Sequence, residues 1–201
     1  MIRILLADDE TLIRDALAGL LALEEDLTVV TTAASGAEAV AAARKHAPDV
    51  AVLDLQMPDG DGIDAAAQIA AVLPGCRTVI VTSHGRPGYL KKALAAGVAG
   101  FLPKTVSARV LAEAVRQVHA GGRYVDPELA AEAISAGESP LTPREADVLE
   151  LAAGGAPAEE IAQRAHLSPG TVRNYLSSAA AKLGASNRHE AAQVARRHGW
   201  I

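Results

Sequence analysis

The chain has 201 residues, enough for one or two domains. Its 19 basic and 24 acidic residues leave a net charge of −5, which excludes a uniformly basic nucleic-acid coat but not a local basic face. Half the residues are hydrophobic and only 2% aromatic, so the chain is globular with an aliphatic core, not disordered. A single cysteine, Cys76, excludes an internal disulfide framework and a cysteine-built zinc site, and it fits a reducing cytosol. No apolar run approaches the ~18 residues of a membrane helix. The stretch Ile2–Ala7 meets Asp8-Asp9-Glu10 too soon to be a signal peptide. The expectation is a cytoplasmic protein with no membrane segment.

Up to about residue 120, short aliphatic runs alternate with alanine-rich helical patterns. The runs are Ile2–Ala7, Leu27–Thr32, Val50–Leu55, Thr78–Thr82 and Gly100–Leu102; the helical stretches lie near 11–23, 36–46, 61–72, 87–96 and 107–120. Near-continuous apolar strands are what a parallel sheet covered on both faces requires. Five such repeats predict a doubly wound α/β domain with a five-stranded parallel sheet and right-handed crossovers. We place this domain at residues 1–122.

After Gly121-Gly122 the texture changes. Asp126-Pro127-Glu128 opens a short helix, with Asp as cap and Pro at the first helical position, and Gly137-Glu138-Ser139-Pro140 breaks the chain. Residues 123–140 therefore read as a linker with a short helix. Residues 141–201 carry four helical patterns and no strand signal. Thr142-Pro143-Arg144-Glu145 is a capping box, whose helix ends at Gly154-Gly155. Pro157 opens a second helix, Ser168-Pro169 a third that Gly184 closes, and Asn187-Arg188-His189-Glu190 a fourth that Gly199 closes. The acid surplus lies entirely in the first part, with 12 basic against 17 acidic residues through 137 and seven of each thereafter.

In open α/β sheets, ligands bind beyond the carboxyl ends of the strands, where strand order reverses. Asp8 and Asp9 follow the first strand, Asp54 ends the third, Thr82 the fourth, and Lys104 follows the fifth. With the order 2-1-3-4-5, three carboxylates converge. Their mutual repulsion requires a proton or a cation, and oxygen-only ligation in a shallow cleft suits Mg²⁺. A carboxylate beside Mg²⁺ can attack phosphorus and become an acyl phosphate, while Thr82 and Lys104 engage phosphoryl oxygens. The bland alternative is that such acids cap helices and such a lysine is a solvated charge.

The stretches Leu6–Glu10, Asp54–Gly62, Val81-Thr82-Ser83 and Gly100–Lys104 resemble the receiver domain of two-component response regulators, over residues 1–120. The resemblance implies that Asp54 is the phospho-acceptor. It implies Mg²⁺ held by Asp9, Asp54 and the backbone carbonyl of Gln56, with Asp8 acting through water. Thr82 and Phe101 would be the switch pair, Phe101 following Thr82 inward. Its competing role is simple core filling. Thr105 follows Lys104 where that family often has proline.

The helix near 157–165, a turn through His166-Leu167 and a capped helix from Pro169 have the helix-turn-helix layout. Packing through Ile161, Ala162, Ala165, Leu167 and Val172 leaves Thr171, Arg173, Asn174, Ser177 and Ser178 on the opposite face. Arg can read guanine and Asn adenine, with Lys182 and Arg188 placed for phosphates. A protein-docking helix pair is the competing reading. The runs Leu141–Leu149, Glu160-Ile161-Ala162, Leu167–Leu176 and Lys182–Ala185 resemble the LuxR-type DNA-binding domain over about residues 138–201. The whole chain is thus similar to NarL/FixJ-type response regulators, and the runs Arg86–Tyr89 and Gly170–Tyr175 to the DesR subgroup. This resemblance puts Arg173, Asn174 and Ser177 at base-facing positions, although relatives often carry Lys or Arg at the place of Ser177. It makes the last helix, with the stripe Ala191, Val194 and Ala195, a dimer contact on double-stranded DNA.

The function this implies is a transcription factor that takes a phosphoryl group on Asp54 from a sensor histidine kinase, dimerises and binds DNA, and is not an enzyme. Leu17, Leu21, Val110 and Ala114 are candidates for a receiver dimer surface of the first and fifth helices, with core packing as their competing role; the edge of the fifth strand with the fourth and fifth helices is the alternative. Two competing functions stand beside it. An aspartyl-phosphate phosphohydrolase would want an acid where Gln56 stands, and a receiver with a protein- or RNA-docking tail would leave no footprint on duplex DNA. The six histidines lack metal-ligand spacing, and Tyr124 and Trp200 read as packing residues.

Overall fold

A computed structural model describes residues 1–58, 60–83, 87–135 and 139–201. Asp59 of the acceptor motif, Arg86 of the Arg86–Tyr89 run, His84, and the Gly137-Glu138 break lie outside the described residues. The chain forms two compact units.

The first unit is built on a parallel sheet. Its long strands are β1 (Ile2–Ala7), β2 (Leu27–Ala33), β3 (Val50–Asp54), β6 (Arg77–Thr82) and β7 (Gly100–Pro103), with the short hairpin β4 (Gln56–Met57) and β5 (Gly60–Asp61) between β3 and β6. The long strands stand in the order β2-β1-β3-β6-β7, so the predicted 2-1-3-4-5 arrangement is observed. One difference is a sixth strand, β8 (Tyr124–Val125), which pairs parallel to β7 through Gly100 with Tyr124 and Phe101 with Val125. The predicted linker therefore starts inside the sheet.

Helices α1 (Thr11–Leu21) and α5 (Ala108–His119) cover one face, and α2 (Gly36–His46) and α3 (Gly62–Val72) pack on the other; α4 (Pro87–Ala95) follows β6. Alternation along each strand sends Ile4, Leu6, Val50, Val52, Val79 and Val81 towards α1 and α5, where they share a core with Leu111 and Val115. Ser35, Asp61 and Ser107 cap α2, α3 and α5 by accepting backbone N–H bonds three residues on. Arg116 of α5 grips Glu24 at 2.6 Å and Asp26 at 2.6 Å, pinning the loop between α1 and β2.

The four proposed receiver dimer residues need correction. Leu21 and Ala114 are fully buried, and Leu17 and Val110 pack against the same core, because α1 and α5 turn these side chains towards the strands. The large apolar residues α1 and its end expose instead are Leu12, Leu20 and Leu23, 83%, 44% and 79% accessible.

The second unit is helical. After α6 (Pro127–Ser135) come α7 (Pro143–Ala153), α8 (Ala158–Arg164), α9 (Pro169–Lys182) and α10 (Arg188–Arg197). Val148, Leu149, Ile161, Val172, Ala179 and Ala195 form its core. Among the described residues, no helix is long and apolar enough to cross a membrane.

Candidate functional site: an acidic pocket and a helix-turn-helix

Parallel strands all end at the same edge, and the predicted pocket residues meet there. Asp54 is the last residue of β3 and Asp8 follows β1; both are buried, whereas Asp9 is exposed. One carboxylate oxygen from each of Asp8, Asp9 and Asp54 lies within 4.8 Å of the others. Lys104, its side chain only 10% exposed, reaches between them: Nζ is 2.8 Å from Asp8 Oδ2 and 3.0 Å from Asp54 Oδ2. Its backbone N–H donates to the Thr82 carbonyl at 2.7 Å, which fixes the β7 end against the β6 end. Thr82 and Phe101 are buried, Thr82 closing β6 and Phe101 inside β7. Gln56 sits in β4, two residues beyond Asp54.

Burial drives the Asp54 carboxyl up to about 6; Lys104 opposes the rise and the neighbouring Asp8 adds to it. Burial acts to lower the Lys104 ammonium, but its bonds to Asp8 and Asp54 outweigh burial and hold it above its ordinary value. The pocket thus holds two buried carboxylates and one exposed one, partly balanced by one ammonium. Three carboxylates so close, with no nitrogen or sulfur donor in the cluster, fit a hard divalent cation such as Mg²⁺.

Two neighbours escaped the sequence reading. Arg14 Nη1 donates to the Asp8 carbonyl at 2.7 Å, bracing the acidic turn, and Glu10 Oε1 lies 3.5 Å from Lys104 Nζ. The signal for Arg14 was its place one turn into the helix after the acids.

In the helical unit, Ser168 caps α9 by accepting the Thr171 N–H at 3.1 Å, with Pro169 at the first position. His166 adopts a left-handed φ of 54°, and the Leu167 N–H bonds back to the Ala162 carbonyl at 2.8 Å; together these make the turn. Val172, Leu176 and Ala179 of α9 face inward, so Arg173, Asn174 and Ser177 are exposed on the opposite side, while Thr171 is half-buried. Other predicted contacts have partners within the unit. Ser178 Oγ donates to Glu145 Oε1 at 2.6 Å and Lys182 Nζ to Glu145 Oε2 at 2.6 Å, so Ser178 faces α7 and not the free side. Arg188 Nη1 donates to the Ala156 carbonyl at 3.1 Å.

The α10 stripe also needs correction. Ala191 and Ala195 are fully buried in the unit's own core and are not free to meet a second copy; Val194 is half-buried. Their spacing faces α7 and α9, on which α10 packs. Tyr124 and Trp200 pack against the two cores, and Trp200 stacks on His198 with centroids 4.5 Å apart.

A carboxylate pocket at the strand ends of this sheet, followed by a helix-turn-helix, defines a class. Residues 4–116 match the response regulator receiver domain, and residues 139–195 match the bacterial regulatory proteins of the luxR family. The chain belongs to the NarL/FixJ-type response regulators and is a DNA-binding transcriptional regulator of the two-component kind. It is 42% identical over 201 residues to the transcriptional regulatory protein DesR of Bacillus subtilis, all of both chains being covered. It is 39% identical over 202 residues to the transcriptional regulatory protein UhpA of Escherichia coli, again over both full lengths. Among solved structures it resembles the response regulator ChrA of a heme-sensing two-component system, with a TM-score of 0.58, 30% identity, and coverage of 100% of this chain and 98% of that one. It also resembles the response regulator RcsB in complex with DNA, with a TM-score of 0.63, 25% identity, and coverage of 97% and 98%.

Proposed function

We propose that a sensor histidine kinase transfers a phosphoryl group to Asp54, and that the phosphorylated chain dimerises and regulates transcription from double-stranded DNA in the cytoplasm. The observation that carries this reading is the cluster of Asp8, Asp9 and Asp54 with Lys104 between two of them. Asp9, Asp54 and the Gln56 carbonyl would hold Mg²⁺, with Asp8 acting through water. The bound cation supplies charge neutralisation that lets an anionic oxygen approach an anionic phosphoryl group. An Asp54 Oδ attacks phosphorus, the P–N bond to the kinase histidine breaks, and the imidazole nitrogen leaves with the bonding pair and takes a proton. Lys104 then shifts its Nζ from carboxylate to phosphoryl oxygen, and the Thr82 hydroxyl donates to another. Phe101, next to the Thr82 strand, follows into the space that Thr82 vacates.

For the receiver dimer we favour α1, which exposes Leu12, Leu20 and Leu23, over the β7 edge with α4 and α5, because β8 pairs with part of that edge. In the second unit, Arg173, Asn174 and Ser177 enter the major groove, with Thr171, Lys182 and Arg188 flanking them towards the backbone. The working division is a receiver whose sheet runs through Val125, a linker from there to 140 and a DNA-binding module at 141–201.

The test is intact mass after acetyl phosphate and Mg²⁺. The wild-type chain should gain ~80 Da, the mass of one PO₃H unit. The Asp54→Ala chain should gain none and should stay monomeric on sizing. No adduct on the wild type, or an adduct on Asp54→Ala, would end the proposal.

A further inference from the structure

Each arginine and lysine of α8 and α9 is answered by an acid. Arg173 Nη2 lies 3.2 Å from Glu159 Oε1, both side chains 64% exposed. Arg164 Nη1 lies 3.7 Å from Glu160 Oε1, and Lys182 Nζ 2.6 Å from Glu145 Oε2. From residue 138 onward, seven acids balance seven bases. A helix-turn-helix aimed at a polyanion has thus cancelled its own charge, and at Arg173 it has done so on the exposed face beside Asn174 and Ser177.

We infer that Glu159 is a specificity-determining residue of the DNA interface: it neutralises Arg173 towards phosphate while leaving the guanidinium able to read a base edge. The inference rests on the reading that α9 enters the major groove. Sequence-independent attraction to DNA comes from counterions released by each unpaired cation. A guanidinium already matched to a carboxylate adds little to that term. If Arg173 swings away to a phosphate, Glu159 is left facing the same backbone as a bare negative charge. Reading a guanine is different. The guanidinium has five N–H donors, and one Nη on Glu159 leaves others for the two acceptors of a guanine edge. Glu159 therefore penalises indiscriminate contacts more than selective ones. It also stands in the first turn of α8, where an acid suits the helix dipole, so its place is stable before DNA arrives.

The experiment measures binding of the full chain, incubated with acetyl phosphate and Mg²⁺, to a mixed-sequence duplex by fluorescence anisotropy over a salt series. E159Q should steepen the slope of log affinity against log salt by about 0.9 per bound module, and tighten low-salt binding about 5-fold. R173Q made in the E159Q background should remove the whole gain in slope and in low-salt affinity. A slope unchanged in E159Q would overturn the inference, as would a gain that survives R173Q in the E159Q background. If neither wild type nor E159Q binds any duplex, the DNA-binding reading itself falls, and this inference with it. Both side chains are exposed, so the substitutions leave the core untouched.

Discussion

Gly62 packs so closely on Asp54 that a Cβ built on it would stand 2.0 Å from the Asp54 carbonyl oxygen. The Gly62 N–H donates to the Leu55 carbonyl at 2.8 Å, so the first residue of α3 is held against the acceptor strand by backbone alone. Gly62→Ala must push α3 away from Asp54 or twist the β3 end. We expect a loss of about 2–3 kcal/mol of stability, as for overpacked interiors. Urea unfolding checks the stability, and the acetyl phosphate adduct should form more slowly on this variant. Wild-type stability would show that the β3 end yields without cost.

Glu145 gives the helical unit a defined acid limit. Burial acts to raise its carboxyl, but Lys182, Ser178 and Thr142 outweigh burial and hold it down at about 2, below its ordinary 4.5. The bound proton count is then higher in the unfolded chain, so the stabilisation is complete above pH 4.5 and is lost as pH falls from there through about 2. Trp200 is the sole tryptophan and packs in this unit, so its emission follows that unit's unfolding. The wild type should lose stability steadily over this window. Glu145→Gln should start less stable at pH 7 and show a flatter acid limb.

Leu12 and Leu23 carry the proposed receiver pairing. Leu12→Asp with Leu23→Asp should leave the ~80 Da adduct intact, the mass of one PO₃H unit, while sizing shows a monomer. Both side chains are outside the core, so the thermal midpoint should hold. A dimer formed by the double variant would assign pairing to another surface.

Cys76 is buried, and its thiol is pushed up to about 11, by burial first and by the Asp49 carboxylate second. At pH 7 the thiolate is then about one part in ten thousand. Native protein should resist a maleimide that labels the urea-unfolded chain within minutes. Rapid native labelling would mean the β6 entrance opens far more often than its packing implies.

The long strands were legible because a parallel sheet covered on both sides leaves near-continuous apolar runs, such as Val50–Leu53 and Val79–Val81. The pocket was legible for a related reason: strands that end at one edge bring Asp8, Asp54, Thr82 and Lys104 together whatever the loops do. Two-residue strands carry no period, so the β4–β5 hairpin and β8 left no trace. Alanine was the other blind spot. Ala191 and Ala195 have helical spacing that suits an outward contact and an inward one equally, and only the neighbouring helices decide. Charge pairing across helices, as in Lys182 with Glu145, has no sequence signature because it depends on how α7 crosses α9.

The strand β8 sets Asp126 at the junction of sheet and helix. Its N–H donates to the Phe101 carbonyl at 3.0 Å, while its carboxylate accepts the N–H groups of Glu128 and Leu129 at 3.1 and 3.2 Å to start α6. One residue therefore fastens the main chain of the aromatic to the first turn of the helix beyond the sheet. A main-chain displacement at Phe101 would reach that turn through one backbone hydrogen bond and one carboxylate, so Asp126→Ala would cut the tie at the helix while sparing the bond to the strand.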